Sequence, residues 1–403
     1  MANQHSGKNP GDLDIDFGQN GFMPFPEHLD FGQSRLLQDG RILTAGSRRD
    51  GQTLVLVRHL TTGLLDTSYA EQGIAYITPP FARDLLPKGL WLLPDGSALV
   101  HCGVGNLVQN DALVLRVTPN GDLDTSFGVA GYCVLNLGGG TTNIAGGGVL
   151  SDGRIILALL AQRPGSPSPW IYLARLDNGH LDPSFGDNGS GLIHVGEDLV
   201  SSVIVLPNDG VMLVAPTDFD YVKVLLLQFL ADGRPDPAFG DDGMASLTLA
   251  DGHVDIQSLV RQADGKLLAA GSGDYGADLY TLTTRLNPHG SRDESFNNGN
   301  PRLTAFPGYE TISLACALQG DGKIVTGGHS LGSLETYNVV LMRFLANGEL
   351  DNGFGNNGQV MTNLGGVDEC YQVEIQRDGK ILASGASRLN PNGTAYFVAR
   401  YLG

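Results

Sequence analysis

His28, Asp84, Asp198, His253 and Glu310 stand at corresponding places in the chain, each eleven residues ahead of an Asp-Gly dipeptide. Thr141 and Val367 complete that series, and Asp30, Glu197, Asp255, Asp368 and Glu369 lie close by. Imidazole nitrogens and carboxylates that converge on one point can bind a divalent metal or a cationic ligand. The same groups could serve as an acid/base pair. His28, Asp84, Asp198 and His253 are the candidate metal ligands. The plainer alternative is a solvated acidic rim on an acidic protein. Aromatics form a second candidate set: Trp170, Tyr221, Tyr275 and Tyr309, with Phe219 and Tyr337 beside them. Exposed aromatic faces stack on sugars or anchor protein partners. Their plainer alternative is packing between strands.

Three motifs imitate chemistry. Gly328-His329-Ser330-Leu331-Gly332 matches the G-x-S-x-G nucleophile elbow. That elbow needs a helix after the turn and a histidine downstream. Here strand-like Val339–Leu345 follows, and no histidine lies beyond His329. The glycine-rich stretch Gly138–Gly148 lacks the Lys-Ser/Thr of a phosphate-binding loop and reads as a flexible connection. Asp12, Asp14 and Asp16 suggest calcium. The sixth and twelfth positions of such a loop, where Gly and Glu are needed, hold Phe17 and Met23.

The elements that must position these residues follow from a repeat. Asp-Gly recurs at Asp39, Asp95, Asp152, Asp209, Asp264, Asp321 and Asp378, at intervals of 56, 57, 57, 55, 57 and 57 residues. A second motif, G-x-x-D-x-x-(F/Y), recurs in step. Its aspartates are Asp14, Asp66, Asp124, Asp182, Asp236, Asp293 and Asp351, and its aromatics include Phe17, Tyr69 and Phe354. There are seven units.

Each unit reads as four short strands. In the second, Gly73–Thr78, Gly89–Leu93, Ser97–Cys102 and Ala112–Val117 are apolar runs bounded by turn signals. The runs lack clean alternation, which suits strands covered on both faces. No sustained helical stripe appears. Seven units of four strands predict an all-β, seven-bladed β-propeller with four-stranded antiparallel blades. The last unit stops at Gly403, where the others run on into the Asp-aromatic motif, and the first unit begins with that motif. This predicts a ring closed by terminal strands sharing one blade, over residues 11–403, with a flexible tail over 1–10. The Leu-Asp-x-Ser-Phe-Gly segments at Leu123–Gly128 and Leu181–Gly186, with Asp378-Gly-Lys-Ile-Leu382, resemble the delta-60 repeat family of bacterial propellers. The resemblance implies the architecture; the family carries no general activity. Two units depart: Gln228 replaces a third-strand arginine, and Asn297 replaces the motif's glycine.

A residue present in every blade is structural by expectation, since an active site needs one copy. The motif aspartates should cap the connection after the third strand by accepting backbone N–H groups. The third-strand arginines should pair with them, and the aromatics should pack between blades. The Asp-Gly turns and Asp-aromatic connections fall on one uniform face. The remaining loops, among them Gly103–Asp111, His329–Tyr337 and Ala386–Thr394, vary in length and chemistry, so function is expected there.

Composition narrows the classes. The net charge is −18, from 25 Lys+Arg against 43 Asp+Glu, so no nucleic-acid footprint or polybasic membrane patch is expected. No apolar run reaches bilayer length and no signal-peptide core opens the chain, which points to the cytoplasm by default, with unconventional secretion open. Four cysteines without CxxC spacing read as free thiols. The expectation is a monomeric, non-catalytic scaffold that binds an unidentified protein or small molecule on the variable face. The alternatives are a metal-assisted lyase or hydrolase at the channel mouth, with a divalent metal, and a carbohydrate-binding propeller using loop aromatics.

Overall fold

The computed structural model describes residues 8–403, apart from 27, 81–83, 106–109, 139, 163–164, 167, 218–221, 250–251, 277, 333–336 and 390–392. The chain is a seven-bladed β-propeller of antiparallel meanders, innermost strand first. Blade 1 is Leu29–Leu36, Ile42–Arg48, Leu54–His59 and Ile74–Ile77; blade 2 is Asp84–Leu92, Ala98–Gly105, Asn110–Val117 and Tyr132–Leu135. Blade 3 is Thr142–Val149, Ile155–Ala161, Trp170–Asp177 and Leu192–Glu197, with the two-residue His180–Leu181 added. Blade 4 is Ser202–Val205, Val211–Thr217, Lys223–Phe229 and Met244–Thr248; blade 5 is Val254–Arg261, Leu267–Tyr275, Asp278–Leu286 and Arg302–Thr304. Blade 6 is Glu310–Leu318, Ile324–Leu331, Val339–Phe344 and Gln359–Thr362, and blade 7 is Val367–Ile375, Ile381–Leu389 and Gly393–Tyr401. Among the described residues, helix is confined to two single 3₁₀ turns, Asp187–Gly189 and Asn297–Gly299.

The unit read from sequence is one strand out of phase with the blade. Gly73–Thr78 holds Ile74–Ile77, the outer strand of the preceding blade. Along the last strand run residues 11–23: the N–H groups of Gly11, Asp14 and Met23 donate to the carbonyls of Leu402, Arg400 and Val398 at 2.8, 2.8 and 2.9 Å. Of the expected tail, Lys8 and Asn9 donate to the Asp12 carboxylate, and the Pro10 carbonyl accepts from Gly355. Residues 1–7 lie outside the described residues.

The contacts divide the chain into two compact units, residues 1–44, 57–66 and 248–403 in one and 45–56 and 67–247 in the other. In the first, one core cluster joins Val325, Leu341, Phe354, Cys370, Ile381 and Tyr401 of blades 6 and 7. In the second, Leu99, Val114, Phe127, Ile155 and Leu157 join blades 2 and 3. All four cysteines are buried free thiols.

The turn chemistry explains the repeat. Gly40, Gly96, Gly153, Gly265, Gly322 and Gly379 take φ of +84° to +88°, the left-handed position of a three-residue hairpin loop. Blade 4 breaks the alignment read from sequence. There Asp209 holds the left-handed position at φ 62° and Asn208 takes the aspartate's place, its Oδ1 accepting from Gly210 N–H as Asp39 accepts from Arg41. The uneven 57 and 55 intervals thus become 56 and 56 (208 − 152 and 264 − 208). The residue equivalent to His28 in blade 4 is Glu197, not Asp198.

Innermost strands carry a β-bulge. In blades 2, 3, 5, 6 and 7 the register skips one residue: Lys88, Ala145, Gln257, Leu314 and Tyr371. A bulge re-aims a side chain and leaves the partner strand crowded. Gly271, Gly328 and Gly385 sit opposite; a Cβ on Gly328 would lie 2.0 Å from the Ile312 carbonyl oxygen. That close approach, not a nucleophile elbow, requires the glycine of Gly328-His329-Ser330. The Ser330 hydroxyl is buried and accepts from the Asn338 N–H at 3.1 Å. Nor is Gly138–Gly148 a connection throughout: residues 142–149 form the innermost strand of blade 3, and Cβ atoms on Gly146 and Gly148 would press on Val203 and Val205, both at 2.8 Å.

Candidate functional site

The repeated polar residues form a structural module. Asp182 Oδ2 accepts from Arg175 Nε at 2.7 Å and Arg154 Nη1 at 2.6 Å, while its Oδ1 accepts from Ser184 N–H at 2.8 Å. Burial would raise the Asp182 carboxyl, but Ser184, Arg154 and Arg175 outweigh it and hold it well below the usual carboxylate range. The Arg175 guanidinium lies 4.6 Å from the centre of the Phe185 ring and donates to the Ala231 carbonyl of blade 4. Phe185 in turn packs under Gly233, whose Cβ would meet it at 2.9 Å. Arg285 with Asp293 and Arg400 with Asp14 repeat the pattern. Where Gln228 replaces the arginine, its Nε2 donates to Asp236 at 2.6 Å. The expected roles of these residues as caps, ion pairs and inter-blade packing are therefore met.

Each sequence candidate has its own local setting. His28 is exposed just ahead of blade 1. Asp84 opens the innermost strand of blade 2, exposed, its carboxylate against Gly51. Asp198 is half-buried past the last strand of blade 3, and its Oδ1 accepts from Leu199 N–H at 2.8 Å. His253 pairs through Nδ1 and its own N–H with the carboxylate of Asp274. Glu310 opens blade 6, half-buried, next to Tyr309, which is 44% exposed and meets Phe306 edge-on at 6.0 Å. Trp170 lies against His194, centroids 4.7 Å apart. Tyr221 and Phe219 lie outside the described residues, as do the side chains of Tyr275 and Asp30. Among the described residues, no three His, Cys, Asp or Glu side chains stand close enough to hold a metal ion. Of the candidate metal set, His28 and His253 belong to one compact unit and Asp84 and Asp198 to the other.

A different cluster does assemble at the variable-loop end of blades 6 and 7. Tyr371, the bulge residue, donates its hydroxyl to Glu369 Oε2 at 2.6 Å. Arg388 Nη2 donates to the same oxygen at 2.9 Å. The arginine side chain is 57% exposed and Tyr371 38%, while the Glu369 side chain is only 13% exposed. Burial, then the Glu369 charge, pushes the Tyr371 phenol up. Beside them the His329 ring stacks on Tyr337 at 4.9 Å and 11°. Burial keeps His329 below its ordinary value, against the pull of Glu369 and with the push of Arg388. Beneath, Asp368 is fully buried, holding the Leu364 N–H at 2.6 Å and the Ser387 hydroxyl; burial raises its carboxyl despite both bonds.

Sequence reading flagged Glu369 and Tyr337 and missed Tyr371 and Arg388. One signal was present. Tyr371 and Gln257 stand equally far before their turn aspartates, and Gln257 Nε2 likewise donates to Asp255 Oδ2 at 2.7 Å. The bulge that aims both is not legible from residue types.

The opposite, turn face holds a cavity of about 550 Å³ between residues 36–40 of blade 1 and 375–380 of blade 7. Arg400, Lys380, Thr61, Thr62 and Asp16 also border it.

No helix among the described residues is long and apolar enough to cross a membrane. No curated protein matches the chain. Among solved structures, the polysaccharide lyase Uly1 is 8% identical at a TM-score of 0.49, over 96% of this chain and 93% of that one. A protein of unknown function from Dyadobacter fermentans is 12% identical at 0.43, over 80% and 95%. An α-L-arabinanase from Penicillium chrysogenum, solved with arabinobiose, is 11% identical at 0.45, over 98% of each chain. Residues 103–127, 262–296 and 319–354 match the domain of unknown function (DUF5122) β-propeller family, which is of the delta-60 repeat type, and the chain folds as a seven-bladed propeller.

Proposed function

We propose that this protein is a non-catalytic binding scaffold whose ligand sits on the variable-loop side of blades 6 and 7. The observation that supports this is the Tyr371–Glu369–Arg388 network. It presents a half-open aromatic ring and an exposed guanidinium, both held in place by one largely buried carboxylate. Polar groups that are already oriented lose little entropy on binding. An aromatic face flanked by such donors suits a ligand with an apolar face and hydroxyl or carboxylate groups along its edge. A sugar has that build, so the carbohydrate reading is the favoured ligand class, ahead of a peptide segment.

The test is calorimetric titration of the full chain with neutral oligosaccharides, uronic-acid oligosaccharides and short peptides. Binding that weakens at least about tenfold in Tyr371→Ala and Arg388→Met supports the reading. Binding that both variants keep unchanged overturns the site.

A further inference from the structure

The chain has six lysines: Lys8, Lys88, Lys223, Lys266, Lys323 and Lys380. Three of them are neutralised. Lys266 Nζ lies 3.0 Å from Asp293, Lys323 Nζ 2.9 Å from Asp321 and Lys380 Nζ 3.1 Å from Asp14. Lys88 differs. Among the described residues no carboxylate acts on its ammonium, and burial is the one influence on it.

The backbone explains that setting. Lys88 is the residue the register skips between Pro87 and Gly89 in the innermost strand of blade 2. That strand pairs with Ala98–Gly105 alone, so its other edge is free of strand partners. Its sequence is Asp-Leu-Leu-Pro-Lys-Gly-Leu-Trp-Leu, and past Asp84 it holds no charged residue but Lys88. Pro87, Gly89 and Leu90 are buried, while Lys88 is exposed. The bulge thus turns a long side chain out of a buried run. At their own skips, blades 3, 5, 6 and 7 carry Ala145, Gln257, Leu314 and Tyr371, none of them a cation.

The setting decides the chemistry. Protein packed around the side chain displaces water without supplying a counter-charge, and this desolvation lowers the Lys88 ammonium from its ordinary value. A lysine so placed sheds its proton more readily, and the free amine is the nucleophile. Because the side chain is exposed, small molecules in solution reach it.

We infer that Lys88 is a covalent modification site for small aldehydes, which it takes up as an imine. The amine lone pair adds to the carbonyl carbon. Both nitrogen hydrogens then leave with the carbonyl oxygen as water, and no oxidant or reductant takes part. Lys88 belongs to the compact unit that does not contain Tyr371 and Arg388, so this site stands independently of the proposed scaffold site.

The probe is propanal, at limiting concentration near neutral pH, with cyanoborohydride to trap the imine as a propylated amine. The full chain is used, and peptide mass spectrometry reads each lysine. Lys88 should be propylated at least about threefold faster than Lys8 or Lys223. That preference should vanish in guanidinium, where the desolvation is lost. Lys88→Met, its fold checked by circular dichroism, should remove this adduct and leave the other lysines at their former rates. Propylation of Lys88 no faster than that of Lys8 and Lys223 overturns the inference. So does a preference that persists in guanidinium.

Discussion

Arg400 places Nε and Nη2 each 2.8 Å from Oδ2 of Asp14, joining residues 386 positions apart in the chain. The same guanidinium lies 4.2 Å from the Phe17 ring centre, and its Nη1 donates to the Thr61 carbonyl of blade 1 at 2.8 Å. One side chain thus fixes the connection within its own blade and the turn of the next. That arrangement, repeated with local variations, yields the predictions below.

Removing one partner of a buried pair should cost much more than removing a half-exposed one. Arg175 and Asp182 have side chains 9% and 6% exposed, against 20% and 23% for Arg116 and Asp124. Arg175→Ala leaves the buried Asp182 carboxylate with Arg154 as its one remaining guanidinium and removes the bond to the Ala231 carbonyl, and should cost about 3 kcal/mol. Arg116→Ala should cost about 1 kcal/mol. Urea unfolding of both variants checks the order.

Gly128 should tolerate no side chain. Its φ is +54°, and a Cβ would lie 2.2 Å from the Tyr132 carbonyl oxygen. Left-handed strain alone costs about 1–2 kcal/mol, and the clash adds to it. A fall in urea midpoint for Gly128→Ala well beyond that of an exposed Gly138→Ala control is expected.

Acid should destabilise the fold in a defined window. Asp182 and Asp293 are held well below 3.8 in the folded chain. A carboxyl with a depressed folded value contributes stability that is complete above its unfolded value and is lost as pH falls through the folded one. Stability from these groups should thus be flat above about pH 5 and fall steadily below about pH 4. Asp182→Asn should flatten that slope in urea titrations across the same range.

The thiols should be silent in the folded protein. Burial pushes Cys102, Cys133 and Cys370 up to about 12 and Cys316 to about 11. The thiolate is the reactive form. A chromogenic disulfide reagent at neutral pH should label none rapidly, and all 4 cysteines once guanidinium unfolds the chain.

Whatever depends on a few neighbouring residues was legible in the sequence. The hairpin turns are written in Asp-Gly because the left-handed position needs glycine. The Asp-aromatic connection is written in its aspartate because one carboxylate can accept a backbone N–H two residues on and an arginine from the preceding strand. Repeating those signals seven times specified the propeller. Blade 4 shows the limit: Asn208-Asp209 performs the same turn one residue early, and Asp-Gly matching alone set His28 against the wrong residue.

The tertiary structure alone decided which side chains meet. Tyr371 reaches Glu369 because a register skip turns it, and a skip has no residue signature of its own. Gln319 and Gln376 are the same residue at the same repeat position, yet one bridges two turns and the other folds back onto Arg400. A repeat determines backbone paths through local turn chemistry. Contacts between blades depend on how each side chain settles against a neighbour from a distant part of the chain, and that choice places both the aromatic cluster and the cavity beside Gln376.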